Sequence, residues 1–463
     1  MVSEHRQPSG RELSRLLARY DKPGPRYTSY PTAPVWSAEF SALDYEARLR
    51  AASERQGDPL SLYVHIPYCN AMCFFCGCAT VITQRHEKEE PYVDRVLAEA
   101  RLAHAALGSS RPVAQHHWGG GTPTFLGPAM IEKLFHGLCD LFPLGDGAEV
   151  SIEVDPRITT QEQVETLARI GFNRISMGVQ DFDPKVQETI HRVQSFEQTR
   201  AIVDGARALG FVSVNMDLIY GLPYQTQDSF RRTLDRFHEL TPDRIACYSY
   251  AHVPWLKKHQ RVIPEEALPR GADKLALYLT AVESFVAHGH APIGMDHFAK
   301  TDDELSVAAA EGRLHRNFMG YTTLPADDMV SFGMSSISEI DGAFAQNEKT
   351  LPAWQEAVDA GRLPVARGLV RGEEDERRRK IILDLMCRFC APFADHGGAC
   401  EFRRRYATEL AELEPLAEDG LVRVTDAAIE VTETGRLFVR NICMAFDAYL
   451  DRESTGPRFS RTV

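Results

Sequence analysis

Cys69, Cys73 and Cys76 lie in the stretch HIPYCNAMCFFCGC at the spacing Cx3Cx2C. Three thiols on one short loop can wrap one face of a 4Fe–4S cube. Such cubes are usually held by four cysteines. Three ligands leave one iron without a protein ligand, and an open position separates a chemical metal site from a structural one. Cys78, two residues on, keeps a zinc site and a closed four-cysteine cluster open as readings. Zinc usually takes cysteines in pairs, and adjacent chain atoms make Cys76 and Cys78 awkward as two corners of one cube. Unligated thiols are the remaining reading.

Other residue groups could serve such a centre. GGGTPT (119–124) follows a strand-like run, and glycines allow close backbone approach and positive φ. No Lys-Ser/Thr follows, so a nucleoside-triphosphate loop does not fit; taken alone the stretch is a tight strand-to-helix turn. Glu153 in SIEVDP and Asp217 in MDLIYGLP are acids at strand ends. Each suits a helix cap, an ion pair or a cationic ligand equally well. Tyr63 and Phe75 flank the cysteines closely enough to pack on a cofactor, or simply fill core. Cys387 and Cys390 form a CxxC without a second pair and read as packing residues, as do Cys139, Cys247, Cys400 and Cys443.

The elements that must position these residues alternate along the chain. Strand-like segments recur at 61–66, 114–119, 148–154, 174–180, 212–221 and 244–252. Between them lie helical patterns such as EEPYVDRVLAEARLAHA and QDSFRRTLDRFHEL. Strand then helix, repeated, predicts an α/β fold with a parallel sheet. Six units predict a partial (βα)6 TIM-like barrel rather than a closed eightfold one. Sites in such folds gather at the C-terminal strand ends, where the cysteines, GGGTPT, Glu153, Gln180 and Asp217 all fall. GPRYTSYPTAP, within residues 1–57, is too rich in proline and aromatics for a flexible tail and predicts an ordered arm over the barrel. Beyond about residue 365, charged helical segments and two short β runs around TDAA predict a mainly helical, winged-helix-like C-terminal domain. The expected division is 1–57 arm, 58–300 barrel, 301–365 an extension on the active-site side, and 366–463 helical domain.

Composition narrows the function classes. The chain has 463 residues, 44% hydrophobic and 25% charged, as an ordinary globular protein has. Ten scattered cysteines without an apolar N-terminal leader or a membrane-length apolar run predict a reducing, cytoplasmic setting. A net charge of −13 disfavours nucleic acid as a partner. An anionic substrate would need a local basic pocket against that field. The expected state is a monomer.

The cysteine spacing resembles the radical S-adenosylmethionine (SAM) superfamily, in which the exposed iron chelates SAM. Longer words sharpen the resemblance: GPRYTSYPT, LYVHIPYCNAMCFFCGC, HWGGGTPT, SIEVDP, RISMGVQDF, NMDLIYGLP, IGMDHFA, LHRNFMGYTT and RNICMAFD, running from residue 24 to 447. In this order they resemble the bacterial oxygen-independent coproporphyrinogen III oxidases (dehydrogenases) of haem synthesis. The resemblance implies a radical SAM partial barrel with cluster ligands Cys69, Cys73 and Cys76, and Cys78 as a bystander. It further implies two SAM molecules. The first would meet Tyr63, Gly120 and Glu153. The second would meet Phe75, Gly121, Thr122, Gln180, Arg192, Asp217, Ala251 and Ile337, with Ala251 and Ile337 acting only through backbone or apolar contact.

The implied chemistry starts when a reduced cluster cleaves SAM to methionine and a 5′-deoxyadenosyl radical. The radical takes a hydrogen from a propionate β-carbon, whose C–H is not acidic and so is beyond acid–base residues. Loss of CO2 and one electron leaves a vinyl group; two rings treated so turn coproporphyrinogen III into protoporphyrinogen IX. This chemistry implies two further partners, an electron donor to the cluster and a final electron acceptor. Arg26, His297, His315 and Arg316 are candidate partners for the substrate carboxylates, arginine best through its bidentate fork. A haem-binding chaperone on the same barrel and a simple electron carrier are the competing readings.

Overall fold

A computed structural model gives the fold and describes residues 10–55, 57–108, 111–324, 328–450, 459 and 461–462. Its centre is a twelve-stranded sheet. In chain order the strands are β1 (Leu60–Ile66), β2 (Val113–Gly120), β3 (Leu144–Val154), β4 (Arg174–Gln180), β5 (Ser213–Tyr220) and β6 (Arg244–Ser249). Then follow β7 (His290–Gly294), β8 (His297–Lys300), β9 (Asp328–Phe332), β10 (Ile337–Ile340), β11 (Ala343–Asn347) and β12 (Val365–Val370). Their order across the sheet is β12-β11-β10-β9-β1-β2-β3-β4-β5-β6-β8-β7.

The six expected strands are β1 to β6, each parallel to the next. The parallel run starts one strand earlier than repetition predicts, because β9 pairs parallel with β1, Tyr63 opposite Ser331. Counting strand–helix repeats misses β9, since a strand rather than a helix follows it. Antiparallel strands extend both sides, and the sheet stays open at β12 and β7, a partial barrel.

Side-chain alternation splits each strand between two environments. On β3, Val150, Ile152 and Val154 face the helices in the main apolar core, while Glu149, Ser151 and Glu153 face the barrel interior. On β5, Val214, Met216 and Leu218 do the former, Asn215 and Asp217 the latter. The covering helices start and stop where local chemistry dictates. Thr160 and Gln163 form a reciprocal capping box on Gln161–Ile170, which ends at Gly171 in the left-handed conformation.

A second apolar core joins the two ends of the chain: Leu16, Tyr20, Tyr27 and Tyr30 pack with Ile381, Leu385, Phe438, Ile442 and Phe446. The Tyr27 hydroxyl donates to Asp447 at 3.1 Å, and Arg440 donates to the Pro25 carbonyl at 2.8 Å. The arm also reaches the sheet, where the Trp36 ring stacks on Phe344 at 5.1 Å and Ser37 bridges to Gly368 of β12. Two helices not expected from its sequence, Gly10–Tyr20 and Ala42–Ala52, flank the proline-rich stretch. Residues 1–9 and 56 of the expected arm lie outside the described residues. In the C-terminal part, helices Glu373–Arg388, Ala399–Arg405 and Ala407–Glu418 surround a three-stranded sheet containing the hairpin around TDAA.

Candidate functional site

The chain leaving β1 forms a short parallel pairing of Tyr68–Cys69 with Val81–Ile82, which closes the cysteine loop on itself. Its backbone is tied down from two sides. The Phe74 amide donates to the Ile190 carbonyl at 2.9 Å, and a ring nitrogen of His191 lies 2.8 Å from the Met72 carbonyl. From the other side, Gln260 donates to the Phe75 and Ala251 carbonyls at 3.1 and 3.2 Å, and His259 lies 2.7 Å from the Cys76 carbonyl.

Each of the three sulfurs has a polar neighbour. Buried Cys73 receives Arg157 at 3.4 Å and Arg192 at 3.7 Å, Cys69 lies 3.4 Å from the Thr122 hydroxyl, and the Cys78 amide donates to Cys76 at 3.4 Å. Cys78 holds the Cys76 thiol below its ordinary range, while burial pushes Cys69 up to about 11. Among the described residues no three His, Cys, Asp or Glu side chains are placed to hold one metal ion. Yet Cys73 and Cys76 stand near enough to Cys69 to oppose its ionisation, and a cube spreads its thiolates over separate irons. An all-sulfur donor set, with guanidinium, hydroxyl and amide hydrogens directed at it, fits an anionic iron–sulfur cube.

The glycines at the end of β2 are required by geometry. Gly120 has φ +114°, and a Cβ there would lie 2.6 Å from the His65 ring. A Cβ at Gly121 would lie 2.5 Å from the Pro67 carbonyl oxygen. The Gly121 amide donates to Ile66 at 2.7 Å and the Thr122 amide to Tyr68 at 2.8 Å, locking the turn against the cysteine loop. The Gly120 amide donates to Glu153 at 3.2 Å, and Glu153 lies 3.6 Å from His117. His117 in turn stacks on Tyr63, ring centres 5.9 Å apart. The Tyr63 hydroxyl lies 3.2 Å from His65. Tyr63, Gly120 and Glu153 are thus one contiguous group. Burial would raise Glu153, but His117, the Gly120 amide and His65 outweigh it and hold the carboxyl below its usual range.

Gln180 closes β4 with φ +66°, a conformation uncommon outside glycine. Among the described residues its buried Oε1 has no hydrogen-bond partner, nor has the Nε of Arg192. The Arg192 fork spans Asp155 at 3.2 and 3.3 Å and donates to the Gly178 carbonyl at 2.7 Å. Asp217 is pushed up to about 7 by burial and by Glu153, against the pull of Arg192. Phe75 and Ala251 meet through Gln260. Ile337 stands on β10, where its carbonyl accepts the hydroxyl of Ser331, the register partner of Tyr63.

Glu153 and Asp217 line a cavity inside the barrel, with His117, Tyr248, His297 and Tyr321. The hairpin His315–Asn317/Gly320–Thr322 forms one wall. The four expected carboxylate partners differ sharply. Arg26 is paired to Asp296 and lies over Tyr248 at 5.5 Å. His297 is pushed down to about 4 by burial and is neutral. His315 is exposed. Arg316 is 7% exposed, 4.5 Å over the Tyr321 ring, and its Nε and Nη1 have no hydrogen-bond partner among the described residues.

Sequence reasoning passed over His65, His117, Asp155, Arg157, His259 and Gln260. Two signals were present: alternation along AQHHWG puts His117 on the interior face with Gln115, and Asp155 stands inside the word SIEVDP. The remaining roles arise from contacts across the fold.

Residues 63–237 match the radical SAM superfamily. The chain is 42% identical to the oxygen-independent coproporphyrinogen III oxidase of Synechocystis, over 97% of this chain and 98% of that protein. It is 44% identical to the Escherichia coli protein of that name, again over 97% and 98%. The solved structure of the Escherichia coli enzyme, described as a radical SAM enzyme, superposes with a TM-score of 0.88 at 43% identity, covering 92% of this chain and 98% of that one. With full-length likeness in both sequence and structure, this chain belongs to the oxygen-independent coproporphyrinogen III oxidase family of the radical SAM superfamily.

Proposed function

We propose that the protein is a radical SAM oxidoreductase of haem synthesis that converts coproporphyrinogen III to protoporphyrinogen IX without oxygen. Two propionate side chains each lose CO2, a hydrogen atom and an electron. The observation that carries this reading is the donor-wrapped three-cysteine loop placed beside a polar barrel cavity, in a chain with full-length likeness to these oxidases. Cys69, Cys73 and Cys76 would hold a 4Fe–4S cluster, with Arg157 and Arg192 offsetting its negative charge. When bound, cluster and SAM supply a carbon radical able to take a hydrogen atom from an unactivated C–H.

The chain's own residues do the positioning. Tyr63, Gly120 and Glu153 form the seat of one SAM. Phe75, Gly121, Thr122, Gln180, Arg192, Asp217, Ala251 and Ile337 form that of a second. Glu153 is already ionised and suits a cationic ammonium, and a cation beside Asp217 would draw it to the carboxylate form. The idle acceptor of Gln180 and the idle donor of Arg192 are polar groups awaiting a ligand. Arg316 would take a propionate carboxylate on its fork. The barrel and the 315–322 hairpin enclose the reacting carbon and keep water out. The described residues of 1–57 and 366–463 would brace the barrel from outside, and those of 301–365 complete its cavity wall. Among the described residues no helix is long and apolar enough to cross a membrane; a monomer in the cytoplasm is the proposed state.

The test is anaerobic incubation of iron-reconstituted protein with coproporphyrinogen III, SAM, a reductant and cell extract as electron acceptor. Protoporphyrinogen with 5′-deoxyadenosine is the expected product pair. Neither product from protein with an intact cluster, together with stable haem binding, would overturn the assignment in favour of a haem carrier.

A further inference from the structure

The cysteine loop is buttressed by residues 253–263, VPWLKKHQRVI, which follow β6. Three contacts make that seam: Lys257 donates to the Cys78 carbonyl at 3.1 Å, beside the His259 and Gln260 contacts to Cys76 and Phe75. Three large apolar side chains of the same segment stand in water. Trp255 is 52%, Leu256 69% and Val262 63% exposed. Across the loop, next to the His191 that holds Met72, Val193 is 65% exposed. Large apolar side chains left in water around one loop mark an interaction surface.

Charge says what kind of partner fits. The chain carries a net −13, yet 253–263 holds Lys257, Lys258 and Arg261 and no acid. The first acid beyond it, Glu265, has Arg270 within 3.6 Å. A small apolar patch rimmed by cations attracts an acidic face. Such small, charge-guided patches suit brief electron-transfer encounters. A cluster that starts each cycle reduced needs electrons delivered one at a time, and this segment touches the backbone of the loop that would hold it.

We propose that residues 253–263 with Val193 form the docking face for an acidic one-electron carrier protein. The carrier's reduced flavin or iron–sulfur group loses one electron and the cluster gains it; no bond is made and no proton need move. The inference rests on the cluster assignment above. Trp255, Leu256 and Val262 would supply the dry centre, Lys258 and Arg261 the steering field.

The test uses the full chain with reconstituted cluster and a recombinant acidic flavodoxin as probe. Bleaching of the cluster absorbance is followed by stopped flow with reduced flavodoxin and, separately, with dithionite. The double variant K258E/R261E should slow the flavodoxin reaction about tenfold and flatten its dependence on salt, since steering changes on-rates by 10- to 1000-fold. Trp255→Ala should slow it at every salt concentration. Dithionite rates should be unchanged in both. Flavodoxin rates equal to wild type in both variants overturn the docking face alone. Equal loss with both reductants overturns it too, and makes the segment a support for the loop. A wild type that takes up no iron overturns the cluster assignment and the docking face together.

Discussion

Replacing Arg316 with methionine separates a substrate clasp from a structural cation. The guanidinium is 7% exposed, and neither Nε nor Nη1 finds a hydrogen-bond partner among the described residues. Each buried N–H left unsatisfied costs about 1–3 kcal/mol. An apolar side chain of similar length commonly stabilises such a position. The variant should therefore melt at the same temperature or higher. The substrate pays the other way: a charge-assisted bond to a carboxylate contributes roughly 1.5–3 kcal/mol. At about 1.4 kcal/mol per factor of ten, KM for coproporphyrinogen III should rise about 10- to 150-fold. Arg316→Lys keeps the charge without the fork and should fall between. Anaerobic kinetics with thermal melts of the same preparations make the comparison. A melting temperature several degrees lower with KM unchanged would refute the reasoning, because it would show that the guanidinium serves the fold.

Cys73→Ser should abolish cluster binding and turnover, whereas Cys78→Ser should keep wild-type iron content; loss of iron in the latter would make Cys78 a ligand. Asp155→Ala removes the anchor of Arg157 and Arg192, and breaking a buried pair of this kind costs about 3–5 kcal/mol, read as a lower melting temperature and weaker iron retention. Burial would raise Asp155, but Arg192 and Arg157 outweigh it and bring it down to about 2. Its stabilisation is thus present above the ordinary carboxylate value of 3.8 and lost as pH falls from there towards 2. Acid melts of the variant should miss that decline. Asp217, raised to about 7, keeps its proton in the folded chain where the unfolded chain has released it, so stability falls as pH rises from 3.8 to about 7. SAM binding, measured by calorimetry, should instead strengthen as pH rises through 7, and Asp217→Asn should remove both trends.

The Cx3Cx2C loop, the glycine turn and the six strands were legible in the sequence because each is decided within a few residues. Thiol spacing sets which face of a cube one loop can cover, and apolar periodicity sets a strand or a helix. Strand β9 was not legible, because its place beside β1 depends on a pairing across more than two hundred and fifty residues (Leu60 opposite Asp328). The same holds for the site's electrostatics. Arg157 and Arg192 stand 84 and 119 residues from the Cys73 sulfur they approach. Arg26 and Arg316 look alike as candidates in the chain. Only the fold brings Asp296, 270 residues away, to the first and leaves two nitrogens of the second without a hydrogen-bond partner among the described residues. Local sequence determines which groups are present and how neighbouring ones are spaced. Which charges are paired, which are idle and which protons are held depends on distances through space and on burial, and these exist only once the chain has folded.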